Sequence, residues 1–551
     1  MDRKFIELCS NRTLCGTTDT KTPMQRRTAL RRLADGLVLA VGHSTCRAAE
    51  AAAAPASMPA IAMPSPATFT CDLSAPARPL RHPWRHCVGS CHATTALRAD
   101  WQQQLARAHR ELGFRHVRFH GLLDDDMGTL ITQDERLLFS FFNIDRVFDF
   151  LLSVGMKPVV ELSFMPATLA SGDATVFRYR GNVTPPRRMA DWQLLMTTLA
   201  RHWVERYGLD EVAQWPLEVW NEPNLVAFWT GGQARYFEFF KATWTAVKAV
   251  SPRLQVGGPA TAANGWLDEF SAFCAANACP PDFISTHYYP TDAFGSEHTD
   301  TVSQLAAAPM SVMRDRARDA RAVAGARPLY YTEWNITSNS RDPLHDGPFC
   351  AALAAYYMLD VDDLVDGYSW WTFSDIFEEN WFPSVPYHGG FGLMNLYGVP
   401  KPVYRGFQLV DRLGTRRWTP AGAHPTVQAH VGAPDDDGAT SVLLLNVALP
   451  RHAIADALVT VRLTGLAGRR PRAAQLSRID ETHANPKAEW LRLGSPEYPE
   501  PRQVEALEAA SALVPERFAI AAEDGPLREV TFTLPLPANA MALVRIEWET
   551  A

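Results

Sequence analysis

Between residues 85 and 414, short apolar runs alternate with stretches whose apolar residues recur every three or four positions. The runs 86–89, 115–120, 157–162, 216–221, 254–258, 283–287, 328–333 and 367–371 predict strands. Between the first ones, Trp101, Leu105, Ala108 and Leu112 share one helical face that stops at Gly113. Ile144, Val147, Phe148 and Leu151 repeat the pattern before Gly155, and Trp192, Leu195, Leu199 and Trp203 do so before Gly208. A further helix over 236–250 ends at Ser251-Pro252, and weaker patterns predict helices over 265–277, 312–324, 349–363 and 402–413. Eight strand–helix units in succession predict a (β/α)8 TIM barrel over 85–414, whereas a doubly wound sheet would not need eight repeats.

After residue 414 the pattern changes. Runs 441–448, 457–464, 473–479, 530–534 and 542–548 are strand-like and separated by Pro, Gly and Asp, which predicts an accessory antiparallel β-sandwich over 415–551. Residues 66–84, extended over 68–73, lend it a strand. The first 65 residues follow neither period. Met24 precedes Arg26, Arg27, Arg31 and Arg32, then an apolar stretch 33–41 and an alanine-rich stretch 48–56. That order reads as an export signal with Met24 as the start, of twin-arginine type if Arg26-Arg27 is the determinant, and so as a periplasmic or secreted protein. No other stretch reaches the roughly 20 apolar residues of a membrane span.

Composition narrows the function without naming it. A chain of 551 residues with 47% hydrophobic and 21% charged residues is globular, and 53 Lys plus Arg against 60 Asp plus Glu give a net charge of −7. A nucleic-acid binder would need a basic face, so no nucleic-acid partner is expected. Sixteen Trp, 14 Tyr and 27 Phe suit both a large core and a pocket that stacks on the flat faces of sugars. Nine scattered cysteines make no disulfide framework and no Cys/His metal spacing. Cys87/Cys91 and Cys274/Cys279 are spaced to close small loops but read as buried free thiols.

In a barrel, chemistry hangs from the C-terminal strand ends. The fourth predicted strand closes with Glu218-Val219-Trp220-Asn221-Glu222-Pro223-Asn224 and the seventh with Tyr331-Thr332-Glu333-Trp334-Asn335. A lone glutamate at a loop mouth is usually a solvated charge or a helix-cap partner. Two of them, each beside Trp and Asn and three strands apart around a ring, fit glycosidic cleavage, which needs two carboxyl groups flanking one bond. Two carboxyls and water suffice for that reaction, so no metal or organic cofactor is expected.

Further segments make the reading more specific. They are Val117-Arg118-Phe119-His120-Gly121-Leu122-Leu123, Ser285-Thr286-His287-Tyr288-Tyr289-Pro290, Trp370-Trp371-Thr372-Phe373-Ser374-Asp375-Ile376-Phe377-Glu378-Glu379 and Ile479-Asp480-Glu481-Thr482-His483-Ala484-Asn485. With Asn221-Glu222-Pro223 and Glu333 they resemble glycoside hydrolase family 39, the retaining β-xylosidases and α-L-iduronidases, from about residue 67 to the C-terminus. The resemblance implies that Glu222 is the general acid/base and Glu333 the nucleophile. Asn221 would hold the sugar 2-hydroxyl and Arg118 would keep Glu333 ionised. His120 and His287 would donate to sugar hydroxyls, Tyr289 would lie against the nucleophile or the sugar, and Glu378 and Glu379 would grip hydroxyls as ionised acceptors. Trp371 would lie beneath the ring, with Trp370 turned to the core. Glu161 and Glu218 match no catalytic motif and read as structural.

The iduronidase branch carries a lysine two residues after the strand-six histidine to meet the substrate carboxylate; here that position is Tyr289. The expected activity is therefore an exo-acting β-xylosidase on short β-1,4-xylooligosaccharides. An α-L-arabinosidase side activity is compatible, because the arabinopyranosides share ring size and much of the equatorial pattern. An iduronidase-like or other neutral-sugar glycosidase, and a non-catalytic carbohydrate-binding barrel, stay open as alternatives.

Overall fold

The computed structural model describes residues 64–549 except 135, 293–299, 381, 434–437 and 521–527. The segment read as an export signal, with Cys9, Cys15 and Cys46, lies outside the described residues. Among the described residues no helix is long and apolar enough to cross a membrane.

Each of the eight apolar runs is a strand: β1 (Cys87–His92), β2 (His116–His120), β3 (Lys157–Glu161), β4 (Pro216–Glu218), β5 (Gln255–Thr261), β6 (Ile284–Tyr288), β7 (Leu329–Trp334) and β8 (Gly367–Trp370). They pair in parallel, in chain order, and β8 returns to β1 to close a TIM barrel. The helices outside are α1 (Ala99–Leu112), α2 (Phe142–Ser153), α3 (Met189–Tyr207), α4 (Gly232–Val250), α5 (Leu267–Ala276), α6 (Val312–Ala324), α7 (Pro348–Val361) and α8 (Pro402–Asp411). The periodic residues are the buried ones. Trp101, Leu105, Ala108 and Leu112 all face the core from α1, and Gly113 ends it at φ 70°. The strand most shortened against its pattern is β4, which stops three residues early at Glu218 because Trp220 (φ 75°) and Glu222 (φ 41°) leave the extended region.

Two sheets follow the barrel. Ser65–Asp72, Ala457–Thr464 and Glu529–Leu536 form one, and a seven-stranded sheet ordered Arg78–Pro79, Arg416–Trp418, Val427–Ala433, Thr440–Asn446, Ala540–Trp548, Pro471–Ile479, Glu516–Arg517 forms the other. Ser65–Asp72 runs parallel to Ala457–Thr464, so the sandwich is not wholly antiparallel as expected. Thr440–Asn446 is buried along its whole length, because its two faces meet different partners. Val442 and Leu444 pack with Val459, Val461 and Phe532 between the sheets, while Leu443 and Leu445 join the barrel core, where α7 lies against this strand. The helices Pro486–Arg492 and Pro501–Ser511 were not foreseen in the sandwich region. The second clamps the barrel, where Arg405 of α8 donates to the Ser511 carbonyl at 2.8 Å and Arg107 of α1 pairs with Glu508. The six described cysteines are free and buried, as read from the sequence.

Candidate active site

Strand alternation starts the site. In β2, Val117 and Phe119 join the apolar core, and Arg118 and His120 point into the barrel. Arg118 is fully buried, which is tolerable only if its charge is matched and its N–H groups are used. Its Nε donates to Glu218 Oε2 at 2.5 Å and its Nη1 to Glu333 Oε1 at 2.7 Å; Nη2 donates to Asn221 Oδ1 at 2.9 Å and lies 2.7 Å from Glu161 Oε2. Glu161 and Glu218, read as structural, are thus the counter-charges that let a cation sit beneath Glu333. His120 bonds Glu161 through Nδ1 at 2.8 Å, and its Nε2 lies 3.5 Å from Glu379 Oε1 and 3.8 Å from Glu333 Oε1. Burial is the largest single influence and depresses its pKa, but the charge and hydrogen bond of Glu161 together with the charges of Glu379 and Glu333 outweigh it and raise the pKa.

The strand that carries Glu333 is irregular where it matters. Thr286 pairs with Tyr331 and His287 with Glu333, so Thr332 is an extra residue in β7. Such a bulge re-aims side chains. Here it lets neighbouring residues both face the barrel interior: Thr332 Oγ1 donates to Glu218 Oε1 at 2.7 Å, and Glu333 meets Arg118. The Tyr289 hydroxyl donates to Glu333 Oε2 at 2.9 Å, which puts Tyr289 against the predicted nucleophile.

Glu222 reaches the same space by a different route. The left-handed conformations of Trp220 and Glu222 cost about 1–3 kcal/mol each and persist only where the surroundings fix them. They do so here. Glu222 N–H donates to the Ala260 carbonyl at 2.8 Å, Trp220 Nε1 to the Phe228 carbonyl at 2.7 Å, and the Tyr236 hydroxyl to the Val219 carbonyl at 2.8 Å. One carboxyl oxygen of Glu222 and one of Glu333 lie within 4.8 Å of each other. Burial raises the pKa of both. Glu222 is lifted well above the usual carboxylate range, by burial and then by the Glu333 charge. Glu333 is raised too, but Arg118, His120 and the Tyr289 hydroxyl all oppose its burial. Glu222 is therefore the member of the pair that keeps a proton.

The pair opens into a cavity of about 430 Å³ lined by His120, Asn221, Glu222, Tyr289, Glu333, Trp371 and Glu379. Asn221 accepts from Arg118 through Oδ1, which turns its amide N–H groups to the cavity. Trp371 is one wall, backed by Gly89, where any Cβ would overlap the indole; Trp370 faces the core, with its Nε1 on the Phe391 carbonyl at 2.9 Å. Sequence reading missed Phe177, Leu225, Phe228 and Phe391, which supply apolar walls, and Asp292, Gln304, Ser338, Ser340 and Asn380 at the mouth. Most of them lie in loops with no periodic signal, Gln304 lies in the short helix Thr301–Ala307, and Phe391 lies in a segment between β8 and α8 that reads equally as core.

Two expected roles are corrected. Glu378 does not line the cavity; it is held outside by Arg98 at 3.0 Å and Arg178 at 3.2 Å, because successive residues of this extended loop point opposite ways. Glu379 does line it. Burial first, helped by Glu333 and Glu161 and opposed by His120, pushes its pKa up to about 8. His287 is fully buried and off the cavity wall, with Nδ1 on Glu222 Oε1 at 3.0 Å and Nε2 on Thr332 Oγ1 at 3.1 Å, so it serves Glu222 rather than a sugar hydroxyl.

Among the described residues, two groups bring three metal-competent side chains together. Glu222, His287 and Glu333 are the hydrogen-bonded set just described. His92, Asp124 and Asp126 form the other, in which burial is outweighed by the hydrogen bonds His92 gives to the two aspartates together with their charges, which push His92 up to about 9. That makes the second group an imidazolium between carboxylates.

Comparison with known proteins places this arrangement. The model of "Glycosyl hydrolases family 39" matches residues 69–525. A β-xylosidase of Caldicellulosiruptor saccharolyticus is 45% identical over 467 residues, covering 84% of this chain and 95% of the relative. A β-xylosidase of Geobacillus stearothermophilus is 34% identical over 486 residues, 84% of this chain and 92% of the relative. The crystal structure of a monomeric β-xylosidase from Caulobacter crescentus superposes with a TM-score of 0.77 at 31% identity, covering 87% of this chain and 99% of that one. The match to the α-L-iduronidase of Mus musculus, at 32% identity, covers 35% of this chain and 31% of the relative.

Proposed function

As a member of glycosyl hydrolases family 39 the chain is a glycoside hydrolase, and we propose that it is an exo-acting β-xylosidase that releases xylose from short β-1,4-xylooligosaccharides with net retention of anomeric configuration. The observation that carries the reading is the approach of two unlike carboxyls, within 4.8 Å, one with a cation beneath it and one without. Retaining enzymes hold the pair at roughly 5–5.5 Å so that one can attack the anomeric carbon, whereas inverting enzymes leave room for a water at roughly 6.5–9.5 Å.

In the first step Glu333 attacks C1 while Glu222 gives its proton to the departing glycosidic oxygen. The ester that forms cancels the Glu333 charge, which removes one reason for the high Glu222 pKa and leaves Glu222 a competent base. In the second step Glu222 takes a proton from water, the oxygen attacks C1, and Glu333 leaves. Asn221 offers its amide to the 2-hydroxyl, an interaction that strengthens in the transition state.

The lining favours a neutral sugar. Among the described residues it holds no lysine or arginine, and a substrate carboxylate would face Glu222, Glu333 and Glu379. An iduronidase reading finds no lysine or arginine in this lining, and a non-catalytic barrel has no reason to keep both carboxyls. Export from the cytoplasm belongs to the same proposal, and rests on the arginine-rich and alanine-rich segments before residue 64.

Proton NMR during hydrolysis of a nitrophenyl β-D-xyloside, which releases a single xylose, is expected to show β-xylose as the first-formed anomer. If α-xylose appears first, or if neither xylobiose nor a nitrophenyl β-D-xyloside is cleaved, the reading fails. Glu222→Ala is expected to lose about 10²–10⁴-fold in kcat/KM on xylobiose and far less on aryl xylosides, whose leaving groups need no proton. Equal losses on both substrates would count against the acid/base role.

A further inference from the structure

A closed hydrogen-bonded chain joins the two carboxyls through the barrel wall. From Glu222 Oε1 it runs to His287 Nδ1 (3.0 Å), from His287 Nε2 to Thr332 Oγ1 (3.1 Å), and from Thr332 Oγ1 to Glu218 Oε1 (2.7 Å). Glu218 Oε2 then meets Arg118 Nε, and Arg118 Nη1 meets Glu333 Oε1. We propose that Thr332, which touches neither carboxyl of the catalytic pair, is a positioning residue that fixes the tautomer of His287 and thereby holds the proton on Glu222. The inference rests on the roles proposed above for Glu222 and Glu333.

The direction of each bond follows from counting protons. Glu218, ion-paired with Arg118, offers only acceptors, so the one hydroxyl proton of Thr332 goes to it. Thr332 Oγ1 can then only accept from His287, which requires the proton on Nε2. Burial in a ring that also holds Arg118 and His120 keeps this imidazole neutral. A neutral ring protonated at Nε2 presents a bare lone pair at Nδ1. That lone pair faces Glu222 Oε1 at 3.0 Å and Glu333 Oε2 at 3.6 Å. Two ionised carboxylates around a lone pair repel it and each other. A proton on Glu222, donated to Nδ1, satisfies the arrangement. Without the hydroxyl the ring is free to carry its proton on Nδ1, where it would donate to Glu222 and favour the ionised form.

The bulge is what brings Thr332 into the chain. Its residue is skipped by the β6–β7 register, and a regular strand would send a side chain next to Glu333 to the opposite face. The other charged and titratable groups around Glu222 are Arg118 and His120 from β2, Glu161 from β3, Glu333 with the Tyr289 hydroxyl upon it, and Glu379 after β8. Thr332 hydrogen-bonds none of them directly and reaches Arg118 only through Glu218.

Thr332→Val and Thr332→Ser test this. In the valine variant the basic limb of the kcat/KM–pH profile on xylobiose, whose leaving group needs the proton, is expected to fall by about one pH unit, because Glu222 ionises sooner. Serine, which keeps the hydroxyl, is expected to restore the wild-type limb. ¹⁵N-histidine NMR of the wild-type protein without substrate is expected to report His287 protonated at Nε2 below that limb, and the valine variant to report Nδ1–H. A valine variant that loses rate or melting temperature with the limb unmoved overturns the inference. A wild-type His287 protonated at Nδ1 overturns it too, and needs no variant to fold. The NMR result stands whether or not xylosides prove to be the substrate, so failure here and failure of the functional reading are distinguishable.

Discussion

Glu333→Gln is expected to fold normally, bind xylosides and turn them over slower by on the order of 10⁴- to 10⁶-fold, the scale of losing a nucleophile that acts as a unit with its partners. Folding survives because the amide keeps most of the hydrogen bonds. Its oxygen still accepts from Arg118 Nη1, and its NH₂ can turn to the Tyr289 oxygen, which accepts as readily as it donates. The negative charge is lost, and with it both the attack on C1 and the electrostatic reason for the Glu222 proton. Glu333→Ala goes further and leaves space beside C1. With an activated aryl β-xyloside and azide, that variant is expected to yield the α-xylosyl azide, since the anion enters from the face the carboxylate occupied. Wild-type kcat in either variant would remove Glu333 from the mechanism, and a β-configured azide product would put the nucleophile on the wrong face.

Arg118→Met carries the second large effect, on stability and rate together. It leaves Glu161, Glu218 and Glu333 around a site with no guanidinium, each with less than a tenth of its side chain exposed. Removing one member of a buried ion pair costs about 3–5 kcal/mol, and here three carboxyls lose the same partner. The sign of the pH dependence follows. In the native protein burial pushes the Glu161 pKa up, but Arg118 and His120 pull it below its ordinary value. A depressed carboxylate contributes stability that is present above its unfolded pKa and lost as the pH falls through the folded one. Without Arg118 that contribution disappears. The melting-temperature deficit of the variant is therefore expected to be small in acid, where the carboxyls are protonated in either protein, and to grow as the pH rises toward neutrality. Glu333 loses the largest influence that opposes its burial, so the acid limb of any residual activity moves to higher pH. A deficit that is constant with pH would mean that Arg118 acts through packing alone.

The two effects differ in kind because the two residues were legible in different ways. Glu333 stands at the end of an apolar run, beside Trp334 and Asn335, and its motif announces it. Arg118 sits in one too, but its load was invisible: Glu161 and Glu218 lie on β3 and β4 with no motif between them, and only barrel closure sets them against one guanidinium. Glu378 and Glu379 show the same limit at smaller scale. Adjacent acidic residues in a loop read alike, and their separation into a surface ion pair and a buried cavity-lining carboxyl depends on which way the backbone turns. His287 read as a sugar ligand because its segment resembles the family motif, yet both its nitrogens are consumed within the wall.

By itself the chain determined what repeats and what is local. The 3.6-residue and two-residue periods arise because each element must bury one face, so eight strands, their helices and the glutamates at the ends of two strands could be read residue by residue. Tertiary structure alone decided what depends on register. The extra residue at Thr332, the two-sided burial of Thr440–Asn446 and the loop that turns Glu379 inward all result from pairings between segments far apart in sequence. In a buried site such pairings decide which carboxyl keeps its proton, because desolvation makes the charge of each group depend on its nearest neighbours in space.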